Sequence, residues 1–154
     1  MQKRYFHFVQ DLASPHLARY YLDTCIWKDY YENRSDRLRP IGEWALAFIN
    51  KAVEEGSRLL YSDAVIRELN RYYTMDKTDA ILSIVRNEDC LEKVSISRGQ
   101  AQEARELSRK HNVPFGDALH AVLARDNNAI IVTRDRHFDE LRDIAEARKP
   151  EELI

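Results

Sequence analysis

Residues 112–135 read NVPFGDALHAVLARDNNAIIVTRD, and this stretch decides the fold. The segment after NVPFG, running through DALHAVLARDN, has the apolar spacing of a helix. AIIVT at 129–133 then follows as a short, continuously apolar run with polar residues on both sides. Such a run fits a strand covered on both faces, which is the environment of a parallel sheet flanked by helices. A helix leading directly into a buried strand, with an aspartate two residues beyond it, is the closing half of a βαβ unit.

The same alternation runs outward through the chain. RYYLD at 19–23 reads as a strand ending in an acid, and residues 28–39 read as a loop or an exposed helical stretch. Ile41, Trp44, Ala45, Phe48, Ala52 and Val53 share one helical face, and Gly56 supplies a stop. RLLYS at 58–62 is a second strand, with Ser62 or Asp63 capping a helix through AVIRELNRYY. A helix over roughly 76–87 presents Ala80, Ile81, Ile84 and Val85, and LEKVSI at 91–96 is a third strand. Ser97 and Gln100 have capping-box spacing at the head of a helix through QAQEARELSRKH. Strands alternating with helices indicate an α/β class.

With 154 residues, four Gly, four Pro and no internal repeat, the chain reads as one domain. Residues 1–18 are expected to form an N-terminal arm and residues 19–154 the domain itself. A formal charge of −2, from 24 Lys and Arg against 26 Asp and Glu, excludes a strongly basic nucleic-acid binder. It leaves room for a local basic patch beside an acidic site. No apolar run approaches the roughly 20 residues of a membrane span, and the charged N-terminal segment lacks a secretory h-region. Two cysteines, Cys25 and Cys90, are too few for a disulfide framework, so a cytoplasmic setting is expected.

The acids carry the chemistry. Asp23 and Asp135 lie at or just past strand ends, where ligands of open parallel sheets collect. Asp117 opens a helix after Gly116, and Glu68 sits about one and a half turns into another. Each has an ordinary reading: helix-dipole partner for Asp117, solvated helix residue for Glu68, turn residue for Asp135, helix N-cap for Asp23. An ionised carboxylate among residues as apolar as Leu22 and Ile26 is nevertheless costly without a partner. Asp23 must therefore cap a helix, pair with a cation or hold a metal.

In combination these pieces resemble the PIN-domain ribonuclease family. Asp117-Ala118-Leu119-His120-Ala121, the strand AIIV, and Thr133-Arg134-Asp135 are similar to that family's closing motifs. YYLDTCIW and SDAVIRELNR resemble its first and second, and the likeness spans roughly residues 19–141. It implies a three-layer α/β/α sandwich around a parallel sheet of four or five strands. It also implies a nuclease centre of Asp23, Glu68, Asp117 and Asp135, both catalytic and metal-ligating. Clustered carboxylates repel unless a cation compensates, and all-oxygen ligation suits Mg²⁺ or Mn²⁺. Zinc is disfavoured because no Cys or His pair has suitable spacing. His120 reads as a packing or surface residue.

Thr24 and Thr133 are expected to support a ligand carboxylate by hydroxyl hydrogen bonds. Arg34, Arg37 and Arg39, with Tyr30 and Tyr31 nearby, are candidates for tracking a nucleic-acid strand. Arg134, Arg136 and His137 either touch a phosphate or balance the acids, while Asp139 is left outside the centre. The resemblance is strongest to VapC-like toxins of VapBC-type toxin–antitoxin pairs. It implies a metal-dependent endoribonuclease acting on single-stranded or structured RNA, a homodimer, and an inhibitory antitoxin partner. The 18 residues ahead of the first strand depart from the compact form of such toxins. Two alternatives remain: a silent PIN-like module that binds RNA or protein, and another acid-centred phosphohydrolase on a Rossmann-like fold. The absence of D-x-D-x-T after Asp23 and of a Gly-rich phosphate loop weighs against the second.

Overall fold

The computed structural model describes residues 17–86 and 89–154. The expected N-terminal arm therefore lies almost wholly outside the described residues. Five strands, β1 (Arg19–Leu22), β2 (Arg58–Tyr61), β3 (Leu91–Lys93), β4 (Ile130–Val132) and β5 (Ala147–Arg148), form one sheet in the order β3-β2-β1-β4-β5. Every pairing is parallel. Between them run α1 (Thr24–Glu32), α2 (Ile41–Glu54), α3 (Asp63–Leu69), α4 (Met75–Arg86), α5 (Arg98–His111) and α6 (Phe115–Asp126).

From β1 the chain steps outward through β2 to β3, then returns across the sheet to β4 and on to β5. Right-handed crossovers consequently place α1 to α4 on one face and α5 with α6 on the other, giving three layers. The direction of winding reverses between β1 and β4. The crevice at the carboxyl ends of these two strands is the topological switch point, and both Asp23 and Asp135 follow from it.

Burial explains the strand sequences. Tyr21 and Leu22 on β1, Leu59 and Leu60 on β2, and Ile131 and Val132 on β4 have no exposed surface. Consecutive buried residues mean that both faces are covered, as the apolar run of β4 predicts. Trp27, Phe48, Leu119, Leu123 and Phe138 fill the two helix–sheet layers. The Ser97–Gln100 capping box forms as expected, with Gln100 N–H to Ser97 Oγ at 3.1 Å and Ser97 N–H to Gln100 Oε1 at 2.8 Å.

Four details differ from the sequence reading. The strand at 129–133 is not the last, because β5 follows it; two residues are too few for any periodic signal. The polar stretch from residue 28 belongs to a helix that starts at Thr24, with Ile26 and Trp27 buried and Tyr30 packed against the core. The helix through 63–69 ends sooner than AVIRELNRYY suggests, and Tyr72 lies in the turn beyond it, 65% exposed. On α4, Leu82 and not Ala80 joins Ile81 and Val85 in the core.

One glycine controls how α2 approaches α1. A Cβ on Gly42 would lie 2.5 Å from Asn33 Cα and 2.6 Å from Arg34 N, both backbone atoms. Asn33 itself closes α1 in the left-handed conformation (φ 48°), which turns the chain toward that contact.

Candidate active site

Asp23 ends β1 and caps α1 at once. Its Oδ1 accepts from Thr24 N–H at 2.8 Å, and its own N–H donates to Val132 O at 3.0 Å. Thr133, directly after β4, donates its hydroxyl to Asp23 Oδ2 at 2.8 Å and accepts from Asp135 N–H at 3.0 Å. One threonine thus ties together the two acids of the switch point. Asp23 is 5% exposed, and burial raises its pKa against the opposing pull of His120 and Thr133. The N-cap role and the buried carboxylate therefore coexist.

Glu68 reaches the same place from the far end of α3. Its Oε2 accepts from Thr24 Oγ1, and its Oε1 lies 3.0 Å from His120 Nε2. Burial works against the charge of Glu68, but these hydrogen bonds and the His120 charge prevail and lower its pKa. Gly116 leaves the space this carboxylate occupies, since a Cβ there would stand 2.9 Å from Glu68 Oε1.

Asp117 projects from the first turn of α6, where the helix dipole favours an anion. Its pKa is nonetheless raised to about 6, by burial first and then by the negative charges of Asp23 and Asp135. Asp135 caps the short 3₁₀ turn at Arg136–Leu141 by accepting from His137 N–H at 2.9 Å. The His137 imidazole sits 2.8 Å from Asp117 Oδ2 and 3.0 Å from Asp135 Oδ1. Its pKa is raised, chiefly by the hydrogen bond to Asp117.

All four acids line a single cavity of about 660 Å³. Their ligand atoms fall into two groups, Asp23 with Glu68 and His120, and Asp117 with Asp135 and His137, each within 4.8 Å. An anionic cluster that drives one of its own members toward protonation is short of positive charge. His137, bridging two carboxylates, supplies part of it. Each group offers two carboxylates and one imidazole, a donor set that could hold a divalent cation.

His120 is the residue the sequence reading passed over. It is completely buried, and besides Glu68 its Nδ1 lies 2.8 Å from the Tyr21 hydroxyl. That hydroxyl is in turn 2.7 Å from Ser62 Oγ, so a chain of hydrogen bonds runs from β2 through β1 and α6 to the acids. The signal in the sequence was a histidine one helical turn after Asp117, on the face that turns toward Glu68.

The basic candidates separate. Arg134 is a correction: its guanidinium does not face the acids but bonds Asp29 Oδ2 at 3.2 Å and Glu151 Oε1 at 2.9 Å. Asp29 is 3% exposed, and an arginine is the partner that lets it stay there. Arg34 pairs with Glu32 and Asp29, Arg39 pairs with Asp36, and Arg37 is exposed. Arg39, Arg134 and Arg136 line a second cavity of about 450 Å³ that shares Asp135 with the first; Arg34 and Arg37 line neither.

Solved structures that share this fold include three complexes. VapBC2 from Rickettsia felis, bound to a DNA fragment from their promoter, superposes with TM-score 0.63 at 17% identity, covering 85% of this chain and 98% of that one. VapBC-1 from nontypeable Haemophilus influenzae gives 0.60 at 18% identity over 86% and 98%. FitAcB from Neisseria gonorrhoeae gives 0.55 at 15% over 85% and 97%. No curated protein matches the chain. The PIN domain model matches residues 20–144, a span that takes in all six helices and the four acids, and the chain belongs to the PIN domain family.

Proposed function

We propose that this chain is a divalent-metal-dependent endoribonuclease, the VapC-like toxin of a VapBC-type toxin–antitoxin pair. One observation carries the nuclease reading. Four carboxylates from separate elements converge on one cavity at the switch point, with charge repulsion and burial holding Asp117 at about 6.

Asp23, Asp117 and Asp135 would hold Mg²⁺ or Mn²⁺ together with Glu68. When bound, that cation supplies Lewis acidity toward the phosphodiester and makes water a better nucleophile near neutral pH. The chain's own residues do the positioning. Thr133 fixes Asp23 and the backbone of Asp135, while Thr24 and His120 hold the two oxygens of Glu68. Glu68 is then placed to orient the attacking water. Arg136, exposed beside Asp135, is placed to take a flanking phosphate.

The toxin assignment draws on the resemblance of the motifs and on structural neighbours named as VapBC and FitAcB complexes. With it come an antitoxin that reaches the acidic cavity, a homodimer, and a cytoplasmic setting. No helix among the described residues is long and apolar enough to cross a membrane.

The test is cleavage of labelled RNA with Mg²⁺, Mn²⁺ or EDTA, for the unaltered chain and for Asp23→Asn and Asp117→Asn. Cleavage that needs the metal and disappears in both variants is expected. Cleavage surviving both substitutions sinks the proposed centre. Turnover of small phosphomonoesters without RNA cleavage assigns the site to a different phosphohydrolase.

A further inference from the structure

The cavity over the acids has a wall that the metal-binding residues do not use. Tyr72 and Phe115 line it, 65% and 39% exposed, although each ring is large enough to anchor a core. Phe115 is the first residue of α6, two before Asp117, and Tyr72 sits in the turn that follows the Glu68 helix. Both rings are therefore tied to the elements that deliver two of the acids.

Their surroundings are cationic. Lys28 Nζ stands 3.4 Å from the centroid of Tyr72, over one face of the ring. Arg67 and Arg71 line the same cavity. A cavity acidic at its base thus carries aromatic rings and three positive side chains at its rim. A ligand that satisfies such a rim alternates flat apolar faces with negative charges. Single-stranded nucleic acid has that repeat, whereas a duplex keeps its base faces stacked on one another and offers only edges and backbone. An extended peptide lacks the regular anionic spacing.

We propose that Tyr72 and Phe115 form a base-binding wall that stacks unpaired nucleobases beside the phosphodiester held over the four acids. Lys28, Arg67 and Arg71 take the flanking phosphates. This rests on the nuclease reading above and deepens it by assigning Tyr72 and Phe115 as the residues that hold the bases of the strand.

The test uses a short single-stranded oligoribonucleotide carrying a fluorescent purine analogue whose emission is quenched by stacking. Binding is read with the full chain bearing Asp117→Asn, so that the strand stays whole, and cleavage is read separately with the unaltered chain and Mn²⁺. Quenching on binding is expected, and Tyr72→Ala or Phe115→Ala weakens binding about five- to thirtyfold while abolishing much of the quench. Tyr72→Trp keeps both. Met75→Ala changes neither, because Met75 is 78% exposed but lies outside the cavity. The same sequence closed into a hairpin stem binds no better than the single strand binds to Tyr72→Ala.

Equal affinity and equal quench in Tyr72→Ala overturn the proposal while leaving the nuclease reading intact. An equal loss in Met75→Ala also overturns it, marking a general apolar face of the kind that docks a protein. An unaltered chain that neither binds nor cleaves any RNA overturns the nuclease reading and the wall with it.

Discussion

His120 Nε2 lies 3.0 Å from Glu68 Oε1 and 3.9 Å from Asp23 Oδ1, so one buried imidazole faces two of the four acids. The histidine is fully buried and anchored on its other side by Tyr21, so the Glu68 carboxylate is held from below by a rigid group. Groups that orient a metal ligand commonly change affinity by about ten- to a hundredfold when lost. His120→Gln is therefore expected to weaken Mn²⁺ binding by that order, read as a smaller metal-induced rise in melting temperature. The KM for RNA is expected to stay near that of the unaltered chain while kcat falls. A variant that loses kcat but binds Mn²⁺ normally would show that His120 does not act through the metal ligand.

The electrostatics of the acids set a pH dependence with a definite sign. Asp117 titrates at about 6 in the fold against an ordinary 3.8, raised by burial and by Asp23 and Asp135. The folded metal-free chain thus binds the proton more tightly than the unfolded chain. Its contribution to stability is fully present below the unfolded pKa and is lost as pH rises through about 6. His137 and His120, both raised, shift stability in the same direction. A divalent cation binds the deprotonated cluster, so the stabilisation it provides is expected to grow over the same interval. Melting curves from pH 4.5 to 8 with and without Mn²⁺ are expected to diverge as pH rises, and Asp117→Asn to flatten that divergence. Parallel curves across the range would rule out Asp117 as a ligand.

The elements legible in the sequence are those with local causes. Asp23 was readable because an acid at the end of an apolar strand needs a partner, and the Ser97–Gln100 box because both of its bonds are made within four residues. β4 was readable because a fully covered strand has no polar face to show. His120 was not, since its role depends on Tyr21 and Glu68, which the fold brings from 99 and 52 positions away. Arg134 misled for the same reason: its neighbour in sequence is Asp135, but its partners are Asp29 and Glu151. Whether Tyr72 was core or surface could not be read from a helical pattern that the structure ends three residues earlier.

Two glycines make a paired prediction. At Gly42 the atoms in the way are the backbone of Asn33 and Arg34, which cannot yield without moving α2 off α1. Gly42→Ala is expected to cost about 1–3 kcal/mol, read by urea denaturation, with the metal site unaffected. At Gly116 the obstructing atom is the end of the Glu68 side chain, which can swing aside. Gly116→Ala is expected to keep the stability of the fold and to weaken Mn²⁺ binding. The opposite pattern, with Gly116→Ala unfolding the chain and Gly42→Ala losing metal, would contradict both assignments.

Arg134 and Arg136 flank Asp135 in sequence yet face different tasks. Arg134 is mostly buried, with an ion pair to an almost fully buried Asp29 and another to Glu151 near the C-terminus. Removing it leaves the Asp29 carboxylate buried with only Arg34, at 3.8 Å, to offset its charge. Arg134→Ala is expected to destabilise the fold by about 3 kcal/mol, the scale of a broken buried pair. Arg136 is exposed, and no ion pair involves it among the described residues. Arg136→Ala is expected to leave the melting temperature within a degree or so, since surface changes of this kind are nearly neutral. RNA binding is expected to weaken, and its salt dependence to lose about one unit of slope, as for a single phosphate contact. Melting curves and binding isotherms at two or more salt concentrations separate the pair. Loss of the salt slope in Arg134→Ala at unchanged stability would return that arginine to the substrate side.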